Sequence, residues 1–214
     1  KQGLASRSQV FGFRQDAHHH LVELGAGGCG PLAHRRVLLR AVGQEGLPNH
    51  RGELGIQALQ RHLDEADTSA HNTGQIVTAS TDALTVRLIE LAELQLGAAP
   101  VPYAWVAAGS QARSEQTAQS DQDNCLVLDD RYDEAAHGEY FRAFSRFVCD
   151  GLAECGYIHC PGEIMAMTDK WRQPRARWAQ YFQQWVDTPE PMALMLTCVF
   201  FDLRAIHGKT ELLD

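Results

Sequence analysis

Tyr103-Ala104-Trp105-Val106-Ala107-Ala108-Gly109-Ser110-Gln111-Ala112-Arg113-Ser114-Glu115-Gln116-Thr117-Ala118-Gln119-Ser120-Asp121-Gln122-Asp123-Asn124-Cys125-Leu126-Val127-Leu128 is the stretch on which the fold turns. Its first six residues form a short apolar run that reads as a buried strand, and Cys125–Leu128 reads as a second. Gly109 stands where the first strand ends and lets the backbone approach a neighbour closely, and Ser110 adds a hydroxyl donor. A helix beginning there, as expected within 109–122, directs its free amides at an anion over the turn. Ten residues separate Ser110 from Asp121, enough for a short helix and a return to the adjacent strand. Asp121 and Asp123, at the expected start of that strand, are two apart and project to the same side of an extended chain. Two carboxylates so close repel unless a cation sits between them. Mg²⁺ accepts one or two carboxylates together with substrate phosphates. One element therefore offers phosphate-binding groups and the other offers metal ligands, a pairing suited to in-line displacement at the phosphorus of a nucleoside triphosphate.

Outward from this stretch the pattern is mostly helical. Residues 1–32 read as an irregular, Gly-rich segment and 33–98 as a helical one. Within the latter, Ile76, Val77, Ser80, Leu84, Leu88 and Leu91 recur at helical spacing, Gly97 is a stop, and Pro100 and Pro102 prevent continuation. Residues 99–168 read as the catalytic core. It includes a helix over 137–155, with Tyr140, Phe141, Phe144, Phe147, Val148, Leu152 and Cys155 on one face, and a turn and third strand over 157–167. Two helices, about 171–186 and 190–207, make up a C-terminal helical region, 169–214. Trp171, Trp178 and Trp185 fall seven apart and are expected to form a packed seam. The fold class is α+β: a small mixed sheet flanked by helices, with a helical segment before it and helices after it.

Composition narrows the function. The 214 residues carry a formal net charge of −8, which excludes a broad basic footprint for duplex nucleic acid. No run approaches the roughly 18 apolar residues of a membrane helix. No charged and apolar leader opens the chain, so a cytoplasmic setting is expected. Cys29, Cys125, Cys149, Cys155, Cys160 and Cys198 contain no C-x-x-C pair, which argues for free thiols and against a zinc knuckle. Gly25-Ala26-Gly27-Gly28-Cys29-Gly30 matches G-x-G-x-x-G, but Pro31 follows at once and no regular strand–helix alternation ensues, so a flexible loop is the expectation. The run His18-His19-His20 reads as a solvated or packed turn.

The segment Gly109 to Asn124 resembles the h-G-S … D-x-D signature of the DNA polymerase beta-like nucleotidyltransferase superfamily. More narrowly, Gly109-Ser110-x-x-Arg113-x-Glu115-Gln116-Thr117-x-x-Ser120-Asp121-Gln122-Asp123-Asn124 is similar to a nucleotidyltransferase family related to the N-terminal part of the PII-protein uridylyltransferases. The likeness reaches Gly156-Tyr157, Cys160-Pro161-Gly162, Met165-Ala166, Trp171-Arg172, Phe200-Phe201-Asp202-Leu203-Arg204 and Gly208, roughly residues 50–214.

The resemblance implies that Gly109 and Ser110 contact phosphate and that Asp121 and Asp123 bind the metal, with Arg113 either pairing with phosphate or fixing an acid nearby. Asp121, Asp123 and Arg113 are then the expected catalytic set. Glu115, Gln122 and Asn124 are expected to join Gly109, Ser110 and Arg113 around the nucleotide. A third acid is sought in Glu163 or Asp202, and for Asp202 a structural pairing with Arg204 or Arg113 is the alternative. The resemblance further implies Mg²⁺ or Mn²⁺ as cofactor and a nucleoside triphosphate as substrate. The implied acceptor is a protein hydroxyl, with a small molecule as the alternative. Association with cyclic-nucleotide-binding and CBS sensor domains follows from the same likeness, as does a C-terminal region cut short at Asp214, as in a fragment. The family usually has Gly where this chain has Ala112, and a regulatory module that binds nucleotide without turnover is the competing expectation.

Overall fold

The computed structural model describes residues 55–214. The expected irregular segment 1–32, with its Gly25–Gly30 loop, its histidine run and Cys29, lies outside them, as do residues 33–54 of the helical segment. The described chain runs α1 (Gly55–Glu65), α2 (Ala70–Leu96), β1 (Tyr103–Ala108), a single turn α3 (Gly109–Ala112) and β2 (Asn124–Leu128). It continues through α4 (Glu134–Glu154), β3 (Arg172–Pro174), α5 (Arg175–Asp187), α6 (Pro191–Phe200) and β4 (Leu203–Gly208). The four strands form one mixed sheet in the order β3-β2-β1-β4. β1 is antiparallel to both of its neighbours, with Val106 opposite Cys125 on one side and Ala107 opposite Arg204 on the other. β3 is parallel to β2. This is the α+β architecture expected, and no described helix is long and apolar enough to cross a membrane.

Every residue of β1 and β2 is buried, which explains why both read as continuous apolar runs instead of alternating ones. Helices α2 and α4 pack against each other beside this sheet. Asp133 caps α4 by accepting from the Ala136 amide at 2.9 Å, and Ser69 caps α2 through the Asn72 amide at 3.3 Å. Phe141, Phe144, Val148 and Leu152 of α4 and Trp105 of β1 are fully enclosed. Each large side chain so buried contributes roughly 1.5–3 kcal/mol.

The buried stripe of α2 is rotated from the apolar one expected. Thr73, Val77, Thr78, Thr81, Thr85, Leu88 and Ile89 face inward, while Ile76 is 40% exposed. Threonine tolerates this because its hydroxyl bonds back along the helix: Thr81 donates to the Val77 carbonyl at 3.0 Å and Thr85 to the Thr81 carbonyl at 2.8 Å.

Three further expectations are corrected. The helix within 109–122 is only the turn Gly109–Ala112, because Ser114 adopts a left-handed backbone with φ +59 and ends it. Residues 157–167 form no strand, since Pro161-Gly162 and a left-handed Glu163 with φ +55 break the chain, and the third strand is Arg172–Pro174. Helix α6 stops at Phe200, and Leu203–Gly208 turns into the fourth strand, filling the open edge of β1. The tryptophans do pack as a seam, around Phe200: Trp171 lies 4.7 Å and Trp185 5.7 Å from its ring centre. Trp171 sits in a 3₁₀ turn ahead of β3, however, and only Trp178 and Trp185 share a helix. The described cysteines are all free thiols.

Candidate active site

At the end of β1 the chain turns sharply at Gly109, whose φ of +55 belongs to the left-handed region. A β-carbon placed on Gly109 would stand 3.1 Å from Oδ2 of Asp123. The space that glycine leaves is therefore taken up by the Asp123 carboxylate. The two segments are tied there, for the Ala108 amide donates to the Asp123 carbonyl at 2.9 Å. Ser110 follows, half-buried, and its carbonyl accepts from the Glu115 amide at 2.9 Å.

Residues 121–124 enter β2 in extended form, so their side chains alternate. Asp121 and Asp123 point to one side, where their oxygens and Sγ of Cys160 all lie within 4.8 Å of one another. Gln122 and Asn124 point to the other side and are buried. The Gln122 amide donates to the carbonyls of Cys149 at 2.9 Å and Tyr157 at 2.8 Å. Oδ1 of Asn124 accepts from the Ala166 amide at 2.8 Å. The structure thus gives both side chains partners in the 149–166 region and makes them anchors of it.

Burial first, and then the neighbouring Asp121, push the Asp123 carboxyl up to about 6. A hydrogen bond from the Cys160 thiol and the charge of Arg113 oppose the shift. Burial pushes the thiol itself up to about 11, so Cys160 remains protonated and donates. Two carboxylates that repel in a partly dry site fit a hard divalent cation.

A pH signature follows for the metal-free protein. The folded state holds the Asp123 proton up to about 6, while the unfolded chain releases it near the ordinary 3.8. Stability should therefore fall as pH rises through that window, by on the order of 1–3 kcal/mol, and stay reduced above it. Asp123→Asn should remove this component. Melting curves of both proteins in chelator between pH 4 and 7 test it, and a constant difference in melting temperature across the range would refute it.

Arg113 is already committed. Its Nε donates to Glu115 at 2.8 Å and its Nη1 to Asp202 at 2.9 Å, and these bonds hold the guanidinium firmly charged. Of the two roles expected for Arg113, the structure displays the fixing of acids. Asp202 is the acid it fixes, and Arg204 pairs instead with Asp82, at 2.7 Å. Glu163 is exposed on a left-handed corner. Among the described residues, neither Glu163 nor Asp202 joins the candidate ligand group of Asp121 and Asp123, whose third member is Cys160. Cys160-Pro161-Gly162 was legible as a motif, but nothing local to it signals a position beside Asp123.

The model of one protein family, described as putative nucleotidyltransferase DUF294, matches residues 55–192, more than half of the chain. No curated protein matches the chain.

Proposed function

The chain belongs to this nucleotidyltransferase family, and on that premise we propose that it moves a nucleoside monophosphate from a nucleoside triphosphate onto a protein hydroxyl, releasing pyrophosphate. The observation that carries the reading is the convergence of Asp121 and Asp123 beside the Gly109-Ser110 turn. Asp121 and Asp123 would hold Mg²⁺ or Mn²⁺, which supplies charge neutralisation for the phosphates when bound. Ser110 offers its hydroxyl to a phosphate oxygen. The acceptor oxygen bonds to the α-phosphorus as the bond to the leaving pyrophosphate breaks, and the acceptor proton passes to a carboxylate.

The protein acceptor rests on the resemblance to PII uridylyltransferases, sensor domains of the cyclic-nucleotide-binding and CBS kinds and a role in signal transduction on the resemblance to the nucleotidyltransferase family, and a cytoplasmic setting on the leaderless, C-x-x-C-free sequence. The net charge of −8 speaks against duplex nucleic acid as acceptor. One observation favours a second reading, a nucleotide-binding regulatory module: Arg113 is shared between Glu115 and Asp202 and so is not free for phosphate.

The two readings separate in one experiment. The protein is incubated with Mg²⁺, each labelled nucleoside triphosphate and cell lysate, and both pyrophosphate and labelled protein are measured. Pyrophosphate together with a labelled protein band is the expected result. Label on small metabolites alone would overturn the protein acceptor, and binding without pyrophosphate would favour the regulatory module.

A further inference from the structure

We propose that Asp82 of α2 and Arg204 of β4 are positioning residues that clamp the Gly109–Ala112 turn, making α2 a splint for nucleotide binding; this rests on the proposed function. Neither residue belongs to the acid group, yet both reach the turn. Arg204 donates from Nη1 to Asp82 Oδ2 at 2.7 Å and from Nη2 to Asp82 Oδ1 at 3.2 Å. The same guanidinium donates to the carbonyls of Gln111 at 2.8 Å and Ala112 at 3.3 Å. The Gln111 side chain closes the circuit, donating to Asp82 Oδ1 at 3.0 Å.

A helical turn of four residues cannot hold itself, because nucleation costs more than its few hydrogen bonds return. Its last carbonyls are also weakly served by the backbone, with Gln111 accepting from the Ser114 amide at a long 3.3 Å. Arg204 supplies both needs with one planar fork, which a lysine cannot imitate. Its place is set by the register of β4, where it stands opposite Ala107, two residues before the turn's Gly109.

A second contact on the same helix supports the splint. Gly74 lies eight residues before Asp82, about 12 Å along the axis. A β-carbon on Gly74 would stand 2.9 Å from the Ser114 carbonyl and 3.2 Å from the Glu115 α-carbon. Ser114 is the left-handed residue that ends the turn, a conformation that neighbouring structure must enforce. Helix α2 thus supports the loop both at the turn and just after it.

The clamp is not core. The Arg204 and Asp82 side chains are 35% and 26% exposed, and ion pairs this accessible add little to global stability. A positioning role therefore predicts a local effect with a nearly unchanged melting temperature.

The test uses Arg204→Lys and Gly74→Ala in the full chain, with amide exchange, binding of Mg²⁺–nucleoside triphosphate and melting all measured. The Arg113 and Glu115 amides, which donate to the Gly109 and Ser110 carbonyls, should exchange about tenfold faster in both variants, while β2 amides stay as in the parent. Nucleotide affinity should fall about tenfold. Ser110→Ala should then cost little more in the Arg204→Lys background, because the hydroxyl is already out of place. Unchanged exchange at Arg113 and Glu115, or faster exchange spreading evenly through β2, would overturn the clamp. If the parent protein binds no nucleotide, the proposed function fails, and the exchange measurement still decides the clamp.

Discussion

Asp121→Asn and Asp123→Asn are each expected to lower metal-dependent nucleotide binding and turnover by a factor on the order of 10²–10³. The fold should survive both changes. Asp121 and Asp123 sit on the outward side of an extended segment, whereas the groups that anchor it, Gln122 and Asn124, face the core. An amide keeps the shape of the carboxylate but removes its charge, so the core should not register the change while a cation should. For Asp123 the contrast is sharper. Its carboxylate is costly to keep ionised in the metal-free protein, so Asp123→Asn should be the more stable protein above pH 6 and the less active one. A Mg²⁺ titration of nucleotide binding, set beside a melting curve for each variant, measures both effects. A parental metal response in both variants would remove the metal-site assignment.

Gly109→Val should be nearly as damaging, by a different route. The left-handed backbone at Gly109, φ +55, disfavours a β-branched side chain by roughly 1–3 kcal/mol. Its first side-chain carbon would also press on Asp123 Oδ2 at 3.1 Å, and the branch would add to the crowding. The turn and the Asp123 carboxylate should shift together, so metal affinity and nucleotide affinity should fall in the same variant. Ser110→Ala removes a single neutral hydrogen bond, worth on the order of 1 kcal/mol, and should weaken binding by tenfold or less. Calorimetric titration of both variants with metal and then with nucleotide distinguishes the two effects. Equal and negligible losses would mean that the turn does not face the ligand.

The readable part of the site was the part governed by local period. The apolar runs Tyr103–Ala108 and Cys125–Leu128 become β1 and most of β2, because central strands covered on both faces need no alternation. The two-residue spacing of Asp121 and Asp123 places them together whatever surrounds them, because side chains of extended chain repeat every second residue. That same period turns Gln122 and Asn124 inward, where both side chains are hydrogen-bonded.

Other features lay beyond any local pattern. Leu203–Ile206 follow the apolar helix α6 and read as its continuation, but the unpaired edge of β1 offers backbone hydrogen bonds that a longer α6 would leave unmade. Residues 157–167 look extended and apolar, yet Pro161-Gly162 and Glu163 bend them away, leaving single backbone bonds from Gln122 to Ile158 and from Asn124 to Ile164 in place of a ladder.

By itself, then, the amino-acid sequence determined the strand–turn–strand unit, the shared side of its two acids and the helical flanks, since each depends on neighbours a few residues apart. Only the tertiary structure decided which distant groups meet that unit: the Cys160 thiol at Asp123, Asp202 on Arg113, and Asp82 with Arg204 at the turn. Asp82 and Arg204 stand 122 residues apart, and their meeting depends on strand register and on the packing of α2, quantities that the whole chain sets at once.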